Sequence, residues 1–298
     1  MNGAEVEKYL ATHKTRQIRG GKSGAEVWEI EGGYVLKHVR RETLPQPEVF
    51  ACYRNEAYFY RFFGQAAERR LPCLPEVLEV QVSRDEIVIL MKKYGELSRE
   101  GTDTELLRKI MRALAQIHSQ EIPDFLRRER NRPGYLDRER TGDCLEGWRS
   151  VLSEHPGVFD EGILLETAAK INDIIEWHHG EKQVLCHGDF HWDNLLAGEQ
   201  GNIVVCDWQG VNAGGASGDI SFFVSRLGAD GISIEAEQAA ELYSEESFLI
   251  TGDGISREEM IRHMKAANVI TTFQFWHEYL HGSSCERVRG IYEKMRME

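Results

Sequence analysis

The chain has 298 residues, 41% hydrophobic and 29% charged, with a formal net charge of -13 and a sequence pI of about 5.4. That length and composition suit a buried core in one large domain or two lobes and exclude a disordered or fibrous chain. The acidic balance argues against a nucleic-acid groove, which needs clustered Lys and Arg, and gives a light preference for a cationic small substrate.

Six cysteines (Cys52, Cys73, Cys144, Cys186, Cys206 and Cys285) form no C-x-x-C pair and read as reduced, mostly buried thiols. The N-terminus lacks the apolar run of a signal peptide, and no segment approaches the roughly 20 apolar residues of a membrane span. The expectation is a soluble, cytoplasmic protein with no membrane partner.

After a short polar helix, residues 18–39 read as strand, glycine-rich turn, strand, glycine hairpin and strand. Gly20, Gly21, Lys22 and Ser23 suggest a Walker A loop, but Arg16 stands where that motif needs Gly, and residues 25–30 alternate like a strand. A hairpin carrying Gly20, Gly21, Ser23 and Gly24 could still cover a nucleotide, because residues without Cβ let backbone N–H groups approach phosphates; a plain turn is the alternative. Lys37 interrupts the apolar run of Val35, Leu36 and Val39, either as an edge-strand lysine in solvent or as a phosphate contact.

Residues 48–70 predict a helix with Val49, Tyr53, Phe59, Phe62 and Phe63 on one side. Glu56 lies near that side, where it is either solvated or paired with Lys37. Strands follow at 77–82 and 86–91. The lobe boundary is expected near Met91 to Tyr94, including Lys93, where free backbone groups could meet a purine.

Residues 104–120 form a strong helix, capped by Thr102 or Asp103, with Leu107, Ile110, Leu114 and Ile117 at helical spacing and His118 as a structural histidine. Residues 127–140 are the one locally basic stretch, read as a solvated loop or as a contact for an acidic substrate group. A helical region then runs to Trp177 and ends at His178, His179 and Gly180. Adjacent helical histidines point about 100° apart and make a poor metal clamp.

The densest polar stretch is the loop His187-Gly188-Asp189-Phe190-His191-Trp192-Asp193-Asn194, between apolar runs, followed by Cys206-Asp207-Trp208-Gln209. Taken alone it supports two chemistries. His187, His191 and Asp193 could ligate the metal of a hydrolase. His187, Asp189 and Asn194 with Asp207 instead have the spacing of a kinase catalytic loop and its magnesium-holding acid. Near the end, residues 257–282 read as a helix with Phe273, Trp276 and Leu280 on one stripe. This is a core face unless Trp276 and Glu278 hold a substrate ammonium.

Together these motifs (Gly20-Gly21-x-Ser23-Gly24-Ala25-x-Val27, Lys37, Glu56, Leu114-Ala115-x-Ile117-His118, His187-Gly188-Asp189 with Asn194, and Cys206-Asp207-Trp208-Gln209) resemble the aminoglycoside phosphotransferase and choline kinase branch of the protein-kinase-like fold. The resemblance covers roughly residues 15–225. It implies an α+β, bilobal chain: an antiparallel-sheet N-lobe with one long helix over residues 1–91 and a larger, mainly helical C-lobe over residues 92–298.

By the same resemblance Asp189 would be the catalytic aspartate that orients a substrate hydroxyl and accepts its proton and His187 a brace for its loop, while Asn194 and Asp207 would hold Mg2+. Lys37, held by Glu56, would contact the phosphates of ATP, or GTP as the alternative donor, and the glycines and Ser23 would cover them. Asp219 would be a supporting acid or a helix cap. Gly188 replaces the Arg of His-Arg-Asp and only twelve positions separate Asp207 from Asp219, so a small hydroxyl substrate fits better than a protein. A pseudokinase would be expected to lose one of Lys37, Asp189, Asn194 or Asp207, and all four are present.

Overall fold

The computed structural model describes residues 3–18, 24–44, 46, 49–64, 71–99, 103–127, 136–229, 231–232 and 234–296. In chain order the elements are α1 (Gly3–Thr12), β1 (Thr15–Ile18), β2 (Glu26–Ile30), β3 (Tyr34–Arg40), α2 (Val49–Phe59), β4 (Val77–Val82), β5 (Glu86–Lys92), β6 (Gly95–Glu96), α3 (Thr104–His118) and α4 (Asp124–Arg127). The second half continues with α5 (Arg138–Ser153), α6 (Glu161–His179), β7 (Gln183–Cys186), β8 (Leu195–Ala197), β9 (Ile203–Val205), β10 (Asn212–Gly215), α7 (Ala216–Ala229), α8 (Ala236–Thr251), α9 (Arg257–Phe275) and α10 (Cys285–Tyr292).

Two compact units divide the chain. The first gathers Met1–Glu129, Val184–Ala213 and Glu245–Gly254, and the second Arg130–Gln183, Gly214–Ser244 and Ile255–Glu298.

The first unit is built on an antiparallel sheet in the order β1-β2-β3-β5-β4. Gly32 and Gly33, with φ of 88° and 85°, make the tight turn that brings Ile30 opposite Tyr34. β3 is therefore a central strand, with Lys37 opposite Val27 on one side and Ile89 on the other. An edge-strand lysine in solvent is ruled out by this strand order.

The helix expected at 48–70 is α-helical only through Phe59 and continues as a π-helical turn at Tyr60–Gly64. Phe59, Tyr60 and Phe63 are all buried there, with the Phe59 and Phe63 rings 5.1 Å apart, and residues 65–70 lie outside the description. α3 follows its amphipathic pattern, with Leu107, Ile110, Leu114 and Ile117 buried and the Asp103 carboxylate accepting the Leu106 N–H at 2.8 Å. A small sheet, β6-β8-β9, carries the segment between the two acidic motifs.

The second unit is mainly helical. Its core joins Trp148 of α5, Ile163, Leu164, Ile171 and Ile175 of α6, Val269 and Phe273 of α9, and Val288 and Tyr292 of α10. The polar ends of the large aromatics are satisfied: Trp148 Nε1 donates to Phe273 O at 3.1 Å, and the Tyr292 hydroxyl donates to Asp160 O at 2.8 Å.

The single helix expected over 257–282 stops at Phe275 and tightens into a 3-10 turn, Trp276–Tyr279. That turn drops Leu280 into the core and brings the Gly282 N–H to Glu154 Oε2 at 2.8 Å. Among the described residues no helix is long and apolar enough to cross a membrane.

Candidate active site

Lys37 leaves the middle of β3 and meets two acids from distant parts of the first unit. Its Nζ donates to Glu56 Oε1 and Oε2 at 3.0 and 2.8 Å and to Asp207 Oδ1 at 2.9 Å. The Tyr53 ring lies 4.9 Å from the ammonium. Burial works against the charge on Lys37, but the Glu56 and Asp207 carboxylates outweigh it and hold its pKa above the usual lysine range.

Glu56 is almost fully buried, and that burial pushes its carboxyl up to about 7 against the pull of Lys37. Asp207 moves the other way: burial opposes ionisation, but the Lys37 ammonium overcomes it and lowers the carboxyl pKa. One ammonium is thus shared by two acids, and the helix carrying Glu56 is fixed by it. A second contact fixes the same helix, since the Phe59 ring stacks on Trp208 at 3.9 Å.

The acidic loop is shaped by a glycine. Gly188 has φ of 80°, and a Cβ there would lie 2.0 Å from Gly210 O and 2.6 Å from Asn212 Nδ2. No residue with a side chain fits without moving backbone, which accounts for glycine between His187 and Asp189.

His187 is fully buried and has both ring nitrogens engaged. Its Nε2 lies 3.0 Å from Cys206 O, and its Nδ1 accepts the Asp189 N–H at 3.2 Å. A carbonyl can only accept and an N–H can only donate, so the ring is held as the Nε2–H tautomer. It ties the loop to the strand end that bears Asp207. With both nitrogens committed, His187 cannot complete the His187, His191 and Asp193 ligand set, and the metal-hydrolase alternative loses its geometry.

Asn194 sits in the 3-10 turn Trp192–Asn194, and its Nδ2 donates to Asp189 O at 2.9 Å. This fixes the amide so that Oδ1 is the face left for a cation. Asp189 itself keeps a half-exposed carboxylate, side-chain exposure 47%, 3.6 Å from His191 Nε2. Asp207 stands in the left-handed region at φ 61°, an unusual conformation for a residue with a side chain, with Oδ1 accepting from both Lys37 and Gln209 Nε2. Asn194 Oδ1 and the Asp207 carboxylate are hard oxygen donors, a set that suits Mg2+ better than a thiophilic metal.

Other expected residues fall differently. Gly20, Gly21 and Ser23 lie outside the described residues, as do 128–135 of the basic stretch; Gly24 is described, at φ 87°. Met91 is paired within the β5 ladder opposite Val35 and Val77, and the Lys93 N–H donates to Gly33 O at 2.8 Å while its ammonium meets Glu29. The backbone donor expected to be free at Lys93 is thus already used.

Trp276 packs partly buried against the second unit's core and Glu278 is exposed. Asp219 lies buried inside the first turn of α7, not at a cap, because the helix already begins at Ala216.

Two residues of the loop, His191 and Asp193, have a part in the site that the kinase-like spacing does not give them. His191 Nε2 lies 3.2 Å from Asn194 Nδ2, and Asp193 is engaged by Arg99. Their alternation with Asp189 was the available signal.

The sequence profile of the phosphotransferase enzyme family matches residues 14–249. No curated protein matches the chain. Among solved structures, the ADP-bound aminoglycoside phosphotransferase APH(2'')-Ib is 15% identical, with a TM-score of 0.60 over 99% of this chain and 97% of the other. An ethanolamine kinase of Plasmodium vivax is 12% identical, with a TM-score of 0.61 over 99% of this chain and 82% of that one. An amicoumacin kinase in complex with AMP-PNP and Ca2+ is 11% identical, with a TM-score of 0.57 over 99% and 93%. At such identities the likeness carries the fold, which is protein-kinase-like: an N-terminal antiparallel sheet followed by a mostly helical C-terminal part. With the family profile spanning most of its length, the chain belongs to the phosphotransferase enzyme family and is a phosphotransferase.

Proposed function

We propose that the protein transfers the γ-phosphate of ATP to a hydroxyl of a small cytoplasmic metabolite or antibiotic, with Mg2+ as cofactor. The observation that carries this reading is the shared ammonium of Lys37 between Glu56 and Asp207, beside a loop whose Asp189 keeps its carboxylate half exposed. Phosphoryl transfer needs positioning and charge neutralisation more than covalent chemistry.

In this reading residues 1–91 cover the nucleotide, and residues 92–298 supply the catalytic loop and the acceptor pocket. Lys37 contacts the phosphates, and Glu56 keeps its ammonium in place. Gly20, Gly21, Ser23 and Gly24 close over the phosphates. The purine lies along Met91 to Lys93, read through groups other than the occupied Lys93 N–H.

Asn194 and Asp207 hold Mg2+, which when bound neutralises charge on the phosphates. Asp189 orients the acceptor hydroxyl and takes its proton, and His187 holds the backbone of Asp189 in place. GTP is the alternative donor. Trp276 and Glu278 are proposed to meet a cationic group of the acceptor, in keeping with the negative net charge.

The similar structures are aminoglycoside, ethanolamine and amicoumacin kinases, so amino-alcohols and amino-sugars are the acceptors to try first. The test is an ATP-consumption screen over aminoglycosides, macrolides, choline, amino-alcohols and sugars, with and without Mg2+. The expected result is acceptor-dependent, Mg2+-dependent ADP release with at least one class. ADP release that ignores both the acceptor and Mg2+ would contradict the reading.

A further inference from the structure

The second unit holds a buried cluster for which phosphoryl transfer has no use. His178, at the C-terminal end of α6, and His263, on α9, each turn Nδ1 toward the same oxygen, Oε2 of Glu181, at 3.8 Å. All three ligand atoms lie within 4.8 Å of one another. The side chains of His263 and Glu181 are only 6% and 3% exposed, and that of His178 17%.

Both Nδ1 atoms are buried without a hydrogen-bond partner, although a protein interior pairs nearly all of its buried polar groups. At 3.8 Å neither histidine hydrogen-bonds the carboxylate, so all three atoms converge without bonding one another.

The surroundings are those of a built ligand set. Ser217 orients the carboxylate from behind, its N–H donating to Glu181 Oε1 at 2.9 Å and its hydroxyl to Oε2 at 2.5 Å. The Trp177 ring stacks on His263 at 4.1 Å and 17°, which restrains the imidazole plane. Second-sphere contacts of this kind fix ligand orientation in metal sites. Among the described residues no Lys or Arg forms an ion pair with Glu181; the basic side chains that face its carboxylate are His178 and His263.

From the two orphaned imidazole nitrogens converging on one oriented, buried carboxylate, we propose that His178, Glu181 and His263 bind a divalent transition metal of the zinc type. Two imidazoles and one carboxylate are a borderline donor set that Zn2+ or Co2+ accepts and Mg2+ does not favour. Bonds of about 2.0–2.1 Å in a tetrahedral site put ligand atoms about 3.3 Å apart, so each histidine closes on the carboxylate by about half an ångström. His178 also lines a cavity of about 300 Å³ between α6, α7 and α9. Bound there, the ion ties the end of α6 to α9 and, through Ser217, to the start of α7.

The test uses the full chain stripped with a chelator and titrated with Zn2+ against a chromophoric competitor, then with Co2+ followed by visible absorption. The expected result is one tightly held equivalent per chain, an intense low-coordinate cobalt spectrum, and X-ray absorption showing imidazole nitrogens on zinc. The equivalent should be lost in His263→Gln and Glu181→Gln, each checked for folding by circular dichroism, and kept in Asp207→Asn, which removes the proposed magnesium ligand. The absorption data on the unsubstituted chain decide the matter even if a variant fails to fold. An all-oxygen coordination sphere, no bound ion, or an ion lost in Asp207→Asn and kept in His263→Gln would overturn the proposal.

Discussion

Two buried polar clusters, one in each compact unit, are satisfied in opposite ways. Around Lys37 one ammonium meets two acids at 2.8–3.0 Å, and its charge is matched inside the protein. Around Glu181 two imidazole nitrogens stop at 3.8 Å from a carboxylate and have no partner. The first cluster pairs its charged groups as folded, whereas the second leaves two imidazole nitrogens unpaired. Burial alone therefore does not tell a working site from a waiting one; the accounting of donors and acceptors does.

The largest expected effect comes from breaking the complete cluster. Lys37→Ala leaves Glu56 and Asp207 facing each other without a countercharge and should cost about 3–5 kcal/mol in denaturant unfolding. The pair of changes Lys37→Met with Glu56→Leu should recover much of that stability while leaving transfer abolished, which separates the ion pair's role in function from its role in folding.

Next comes Gly188→Ala, which forces a side chain into the left-handed region and against Gly210 O. About 2 kcal/mol of strain is expected, with loss of transfer exceeding the loss of folded protein because the Asp189 backbone must shift.

A smaller effect tests a second satisfied acid. Glu246 accepts from Arg112 Nε at 2.7 Å and Arg108 at 3.2 Å. Burial works against its ionisation, but the Arg112 and Arg108 bonds win and hold its pKa below the usual carboxylate value. A depressed carboxylate stabilises the fold above its unfolded pKa and loses that contribution as pH falls. Thermal unfolding of Glu246→Gln should therefore lie below that of the unsubstituted protein at neutral pH, and the gap should close below about pH 4.5. The smallest effect belongs to the incomplete cluster: in chelator-treated protein Glu181→Gln should change unfolding by less than about 1 kcal/mol. A loss as large as that of Lys37→Ala would erase the contrast.

Much of this could be read from the chain. Alternation and glycine turns marked β2, β3 and their hairpin, and the spacing of Leu107, Ile110, Leu114 and Ile117 marked α3, because these signals are local. What escaped depends on distant partners. Lys37 reads equally as an edge residue until β5, beyond α2, pairs with β3 and makes that strand central.

His178 was set aside because its sequence neighbour His179 points elsewhere on the helix. Its partners are Glu181, three positions on, and His263, from a helix that begins far down the chain. The end of α9 at Phe275 was also hidden, since an aromatic stripe continues through Trp276 while the backbone has already tightened. Gly188 was noticed as a departure from His-Arg-Asp, but the backbone contact that demands it comes from Gly210, across the following strands.

The central claim is that the half-exposed Asp189 carboxylate accepts the proton of a substrate hydroxyl. It is tested most directly by comparing Asp189→Ala with the unsubstituted protein in transfer of labelled γ-phosphate to the best acceptor, with nucleotide affinity measured in parallel. A fall in transfer of at least about a hundredfold, with nucleotide affinity largely kept, is predicted; undiminished turnover would contradict the account.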